Sequence, residues 1–180
     1  MLAAVASLLL QAPASGLVKQ VASARLALAQ GMARDTALVA AVNAKNAEME
    51  TPESVQRKDK EWVSRPDFPL RKALVTSPCA QRLRQLIAAD PMVVEAILMD
   101  DHGANVCVSR ETSDYWQGDE AKWQKTFKAG LEVFVDEPAL DESTHEYAVQ
   151  LSVPVSDGGS RIGALTLTLK VRKEDLPAAR

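Results

Sequence analysis

Residues 147–171 read YAVQLSVPVSDGGSRIGALTLTLKV, and their alternation decides the fold class. Tyr147, Val149, Leu151, Val153 and Val155 fall on one face, and Ala148, Gln150, Ser152 and Pro154 on the other. Successive side chains of a strand point to opposite sides, so this is the pattern of a strand with one buried face. Asp157-Gly158-Gly159 is a turn signal. Beyond it, a strand is expected from Ile162 to Val171, with Leu165, Leu167 and Leu169 set against Thr166, Thr168 and Lys170. A hairpin of this kind needs a cover for its apolar face. The opposite face, with Gln150, Ser152, Thr166 and Thr168, is either solvated or the floor of a small polar cavity.

The cover lies upstream. From about Leu17 to Leu74 apolar residues recur at helical spacing, through Val21, Leu26, Leu28 and Met32 and again through Leu38, Val39, Val42 and Met49. Gly31 and Arg34-Asp35 divide this run, with Asp35 or Thr36 as cap of the second helix. Thr51-Pro52-Glu53 restarts a helix that reaches Trp62, since Thr caps, Pro suits the first turn and Glu favours the positive end. Pro66 and Pro69 predict an irregular connection, and a further helix is expected over Pro78–Ala89. After Pro91 the pattern changes to strands: Val93–Met99, an Asp100–Gly103 turn, and Asn105–Ser109. A helical insertion ending near Gly130, a strand at Leu131–Val135 and an acidic link at Asp136–Thr144 complete the layout. The sum is an α+β fold, a five-stranded antiparallel sheet packed on long N-terminal helices.

At 180 residues the chain can hold one domain and a modest extension. Its net charge of -3 and pI near 5.5, with no basic stripe, argue against nucleic acid as a partner. Residues 1–14 combine a short apolar run, Leu2–Leu10, with the small residues of Ala12-Pro13-Ala14. That is the pattern of a signal peptide, although no Lys or Arg precedes the run. Export to the periplasm, as a soluble protein without a membrane span, is therefore expected. The layout is then a leader at 1–14, helices over 15–77, the sheet region at 78–172 and a tail at 173–180. An oxidising compartment permits one bond between Cys79 and Cys107, tying a helix start to a strand; a reducing one would leave two buried thiols.

Thr112–Gln124, TSDYWQGDEAKWQ, crowds aromatics into a chain where they make up only 4 %. Trp123 and Phe127 stand four apart, the spacing of a core-facing helical stripe. Asp114, Tyr115 and Trp116 have two readings, as plugs at the edge of the core or as a lid over a small ligand. Ser109 and Arg110 end a strand beside that loop, where Arg110 is suited to clamp a carboxylate. In the set Asp136, Glu137, Asp141 and Glu142, Asp136 is best placed to point inward, but the spacing is not that of a calcium loop. His102 and His145 lack ligand-spaced partners, and no catalytic constellation, metal site, phosphate loop or cofactor motif is expected.

Three stretches together resemble the Cache or PDC type of PAS-like extracellular sensor domain: AADPMVVEAILMDDHGANVCVSR, TSDYWQGDEAKWQKTF and VQLSVPVSDGGSRIGALTLTLKV. They resemble that family's first hairpin, its cavity-closing segment and its terminal hairpin, over roughly Pro78–Val171. The resemblance implies binding of a small polar metabolite such as a carboxylate, an amino acid or an amine. Ser109, Arg110, Asp114, Tyr115, Trp116, Asp136 and Gln150 are the expected contacts. Such domains usually sit between two membrane helices of a receptor, and this sequence departs from that pattern. A free-standing periplasmic version is therefore expected, whose output needs a membrane receptor or another periplasmic protein, with dimerisation through the N-terminal helices open. The competing expectation is an interaction module whose cavity is filled by side chains.

Overall fold

The structure is a computed structural model that describes residues 16–141 and 146–171. The leader at 1–14, the tail at 173–180, and Glu142, Ser143 and His145 lie outside the described residues. Helix α1 (Gly16–Met32) leads to α2 (Thr36–Asn46). The cap is Asp35, whose carboxylate accepts from Ala37 and Leu38 N–H at 3.1 and 3.3 Å, filling donors that a helix start leaves open. Its second oxygen receives Arg82 at 2.7 Å, and this hydrogen bond holds the carboxyl below its ordinary range. Thr51 caps α3 (Pro52–Ser64), as expected. The connection expected at Pro66 and Pro69 is shorter than foreseen: Pro69 opens α4 (Pro69–Thr76), because its missing N–H has no partner in a first turn anyway. Ser77 then caps α5 (Pro78–Ile87), accepting from Ala80 N–H at 3.1 Å.

Strands β1 (Val93–Met99) and β2 (Asn105–Val108) form the first hairpin. A short helix α6 (Ala121–Trp123) continues as a π-helical turn over Gln124–Lys128. Strands β3 (Phe134–Val135), β4 (Ala139–Asp141), β5 (Glu146–Asp157) and β6 (Ser160–Val171) follow. All pairings among the described residues are antiparallel, in the order β2-β1-β6-β5-β3 with β4 also on β5. The first and last strands thus meet in the middle, which no hairpin pattern specifies. The sheet has the five expected lanes, but its last lane is split. β3 pairs Leu151 and Ser152, and Ala139 rejoins at Ala148 after Pro138, which has no N–H to give to a ladder.

The apolar face is covered as the alternation requires. Val149, Leu151, Val153 and Val155 meet Leu165, Leu167 and Leu169 and pack under Val18, Ala22, Ala29 and Met32 of α1 and Leu38 and Val42 of α2 in one core. The Cys79–Cys107 bond joins the start of α5 to β2, with Cα atoms 5.9 Å apart across 28 residues. Replacing both with Ala lowers stability by about 2–4 kcal/mol, because the cross-link restricts the unfolded chain. Urea unfolding reads this, and a loss under about 1 kcal/mol would contradict it.

Glu50 and three partners anchor the α2–α3 junction. Glu50 receives Lys45 at 2.7 Å, Lys58 at 2.6 Å and the Ser54 hydroxyl at 2.7 Å. Burial alone would raise its carboxyl, but these hydrogen bonds outweigh it and bring the pKa from 4.5 to about 2. A depressed carboxyl stabilises fully above its unfolded value and loses that contribution as pH falls through its folded one. Melting temperature is therefore expected to drop between pH 4.5 and about 2, and Glu50→Gln to flatten that part of the profile. An unchanged profile in the variant would contradict the assignment.

Candidate functional site

The second face of the sheet carries the site. Across β1, β6 and β5 the register sets Glu95 beside Thr168 and Gln150, and Ile97 beside Thr166 and Ser152. A bulge between Val93 and Glu95 makes this possible. It lets Val93 enter the helical core while Glu95 and Ile97 turn to the other side. The floor is hydrogen-bonded internally: Thr168 Oγ1 donates to Glu95 at 2.9 Å, and the Ser152 and Thr166 hydroxyls are 2.8 Å apart and fully buried. Trp123 and Phe127 stack at 5.0 Å and pack with Ile97, Met99 and Ala164 at one end of this face. The helical-stripe expectation for that pair holds. At the other end a cavity of about 660 Å³ remains open between the floor and the 110–122 segment.

Its roof is tied down from two sides. On the hairpin side, Trp116 Nε1 donates to the His102 carbonyl at 2.8 Å, Gln117 N–H to Gly103 at 2.8 Å and Trp123 Nε1 to Asp100 at 3.0 Å. Gly103, with φ of 79°, and Gly118 face each other so closely that a Cβ on either would strike the other's backbone or the Trp116 indole and the His102 carbonyl. On the helical side, Asp59 accepts from Tyr115 and Trp116 N–H at 2.9 Å each, and Trp62 Nε1 donates to the Thr112 carbonyl at 3.0 Å. Arg71 pairs with Glu111. The loop Arg110–Gln117 is thereby held as a fixed wall.

The cavity is lined by three carboxylates, Glu95, Glu111 and Glu120, and three cations, Arg110, Lys122 and Lys170. Thr112, Ser113, Gln117, Gln150 and Thr168 add uncharged polar groups, and Val94, Ile97, Tyr147 and Ala148 supply the apolar surface. Lys122 is only 3 % exposed and pairs with Glu120 at 2.8 Å. Arg110 is exposed at the mouth and forms no ion pair among the described residues.

Of the residues expected from sequence, Arg110 and Gln150 line the cavity. The others stand elsewhere. Ser109 is buried and its hydroxyl accepts the Ala96 N–H at 2.8 Å, closing the β1 ladder. Asp114 turns to the side chain of Gln117, and burial raises its carboxyl, with Glu120 adding to the effect. Tyr115 points to the helical side, its ring 6.1 Å from that of Trp62 in a cluster with Val55 and Ala104. Trp116 packs on that same cluster. Tyr115 and Trp116 pack behind the wall of this cavity, with Val55 and Trp62, and do not line it. Asp136 donates its N–H to Gln150 and turns its carboxylate to the Glu137 N–H. Sequence reading missed Glu95, Glu111, Glu120, Lys122 and Lys170. For Glu95 and Lys170 the signal was present, as polar positions alternating within apolar strands. Asp100, Asp101 and His102 come within 4.8 Å of one another, but Asp100 accepts the turn's His102 and Ala104 N–H groups and Asp101 pairs with His102.

No helix among the described residues is long and apolar enough to cross a membrane. No family model matches the chain, and no curated protein does. Solved structures with a similar arrangement exist. The ligand-binding domain of the Pseudomonas aeruginosa PAO1 amino acid chemoreceptor PctB, in complex with L-Arg, aligns at 18% identity over 86% of this chain and 51% of that one, with a TM-score of 0.45. That of the chemoreceptor PctC from the same organism, in complex with GABA, aligns at 16% over 86% and 57%, with a TM-score of 0.46. The sensor domain of the V. cholerae histidine kinase DctB aligns at 12% over 84% and 51%, with a TM-score of 0.45. The chain spans about half the length of these sensor domains.

Proposed function

We propose that the chain is an exported sensor module whose cavity binds a small zwitterionic metabolite, an amino acid being the simplest case. The observation that carries this reading is the balanced charge of one partly enclosed space: Glu95, Glu111 and Glu120 against Arg110, Lys122 and Lys170. Glu111 and Glu120 already have Arg71 and Lys122 beside them, so the cavity is near neutral. A ligand carrying both signs finds a counter-charge for each of its ends where a dicarboxylate or a simple amine does not. The apolar patch of Val94, Ile97 and Tyr147 has room for a side chain. The Cys79–Cys107 bond supports an oxidising setting outside the cytoplasm. The bound state would be read by a membrane receptor or periplasmic protein, and α1 is the element placed to transmit it, as it packs on β5 and β6 beneath the floor. A homodimer through the N-terminal helices belongs to the same proposal.

The competing reading, an interaction module with a filled cavity, is disfavoured by the roughly 660 Å³ left open. Thermal-shift screening of amino acids, dicarboxylates and amines separates the readings. A rise confined to amino acids is expected. A rise with dicarboxylates or amines alone would replace the zwitterion assignment, and no rise with any class would favour the interaction module.

A further inference from the structure

A second cavity, of about 600 Å³, lies on the other side of the molecule, between α2, α4 and the start of β2. Its walls are largely apolar, including Ala41, Ala44, Leu74 and Val106. Two polar side chains that line it, Asn105 and Tyr115, are 0% and 1% exposed, yet Asn105 Oδ1 has no donor and the Tyr115 O–H has no acceptor. Such groups are rare, because a buried polar atom without a partner forfeits its hydration.

The surroundings fix what each atom needs. Asn105 Nδ2 donates to Thr112 Oγ1 at 3.0 Å and to the Asp114 carbonyl at 3.1 Å. Turning the amide over would set an oxygen against that carbonyl, so Oδ1 stays in place as an acceptor awaiting a donor. Burial pushes the Tyr115 phenol well above its ordinary pKa, so it stays protonated with an O–H to give. Lys45 also lines this cavity. Its ammonium gives two N–H groups to Glu48 and Glu50 at 2.7 Å each and the third to the phenol oxygen, so Tyr115 accepts there and keeps its own O–H to give.

We infer that this second cavity is a binding site for a small apolar molecule carrying one uncharged group that both donates and accepts a hydrogen bond, an alcohol or a primary amide. Asn105 Oδ1 receives the donated proton, Tyr115 Oη supplies one in return, and the alanine-lined face of α2 takes the apolar body. The site is separate from the charged cavity, and the two share no lining residue. Its occupant would reach the roof of the charged cavity from behind, since Asn105 holds Thr112 and Tyr115 adjoins Trp116.

The test is a titration of the isotope-labelled full chain with cyclohexanol, followed by amide NMR shifts, with cyclohexanone as the matched probe that lacks a donor. Saturable shifts centred on Ala44, Leu74 and Val106 are expected for cyclohexanol. Cyclohexanone should bind about tenfold more weakly, since it leaves Oδ1 unpaired. Tyr115→Phe, which keeps the ring, should weaken cyclohexanol several-fold, and Ala41→Leu, which fills the cavity from the side of α2, should abolish the shifts. Non-saturating shifts, equal affinity for the ketone, retained binding in Ala41→Leu, or shifts centred on Lys122 and Gln150 would each overturn the inference. Those results leave the zwitterion reading of the other cavity intact, because its ligands and lining residues are different.

Discussion

Trp62→Ala is expected to lower the stability of the fold by about 3–5 kcal/mol, the range for truncating a fully buried large aromatic. Trp62 is 0% exposed and packs with Val55, Ala104 and Tyr115 in a cluster apart from the main core. Its indole N–H also donates to the Thr112 carbonyl, and the Arg71 guanidinium lies 5.4 Å from the ring centre. Removing it leaves a cavity and an unpaired carbonyl in the wall of the charged site. Urea unfolding measures the loss, with Val63→Ala, at 62% exposure on the same helix, expected to change stability by less than about 0.5 kcal/mol. A Trp62→Ala loss under about 1 kcal/mol would mean the wall does not depend on α3.

Lys122→Met is expected to weaken ligand binding by about ten- to a hundredfold, the worth of one charge-assisted hydrogen bond in a desolvated site. Lys122 lines the cavity, is almost wholly buried, and has Glu120 as its charge partner. A carboxylate entering the site gains a cation there that water does not screen. Methionine keeps most of the stem and its packing, so the fold should survive. Calorimetry on the variant reads the effect, and Arg110→Met, at the exposed mouth, should cost less. A larger loss in Arg110→Met than in Lys122→Met would place the carboxylate at the mouth instead.

The alternation of 147–171 was sufficient for the hairpin, its buried face and its polar face, because strand periodicity is local. The caps at Asp35 and Thr51 were legible for the same reason. The meeting of β1 with β6 was not, since pairing across the whole sheet leaves no local trace. Arg110 and Gln150 were found from their place on strand ends and faces, and Glu95 and Lys170 had the same signal. Lys122 was beyond reach: a lysine on a short polar helix reads as solvated until the fold closes over it. Tyr115 and Trp116 had two readings because aromatic enrichment marks lids and anchors alike. Only Trp62 and the His102 carbonyl, distant in sequence, decide between them.

The central claim is that the balanced charges of the sheet-side cavity select a zwitterion. Calorimetry of the purified chain against an amino acid that raises its melting temperature, alongside the matching deaminated acid and decarboxylated amine, tests it most directly. Saturable binding of the amino acid is predicted, with each truncated analogue weaker by at least about tenfold, or 1.4 kcal/mol. Equal binding of either analogue, or no saturable binding by any amino acid, would contradict it.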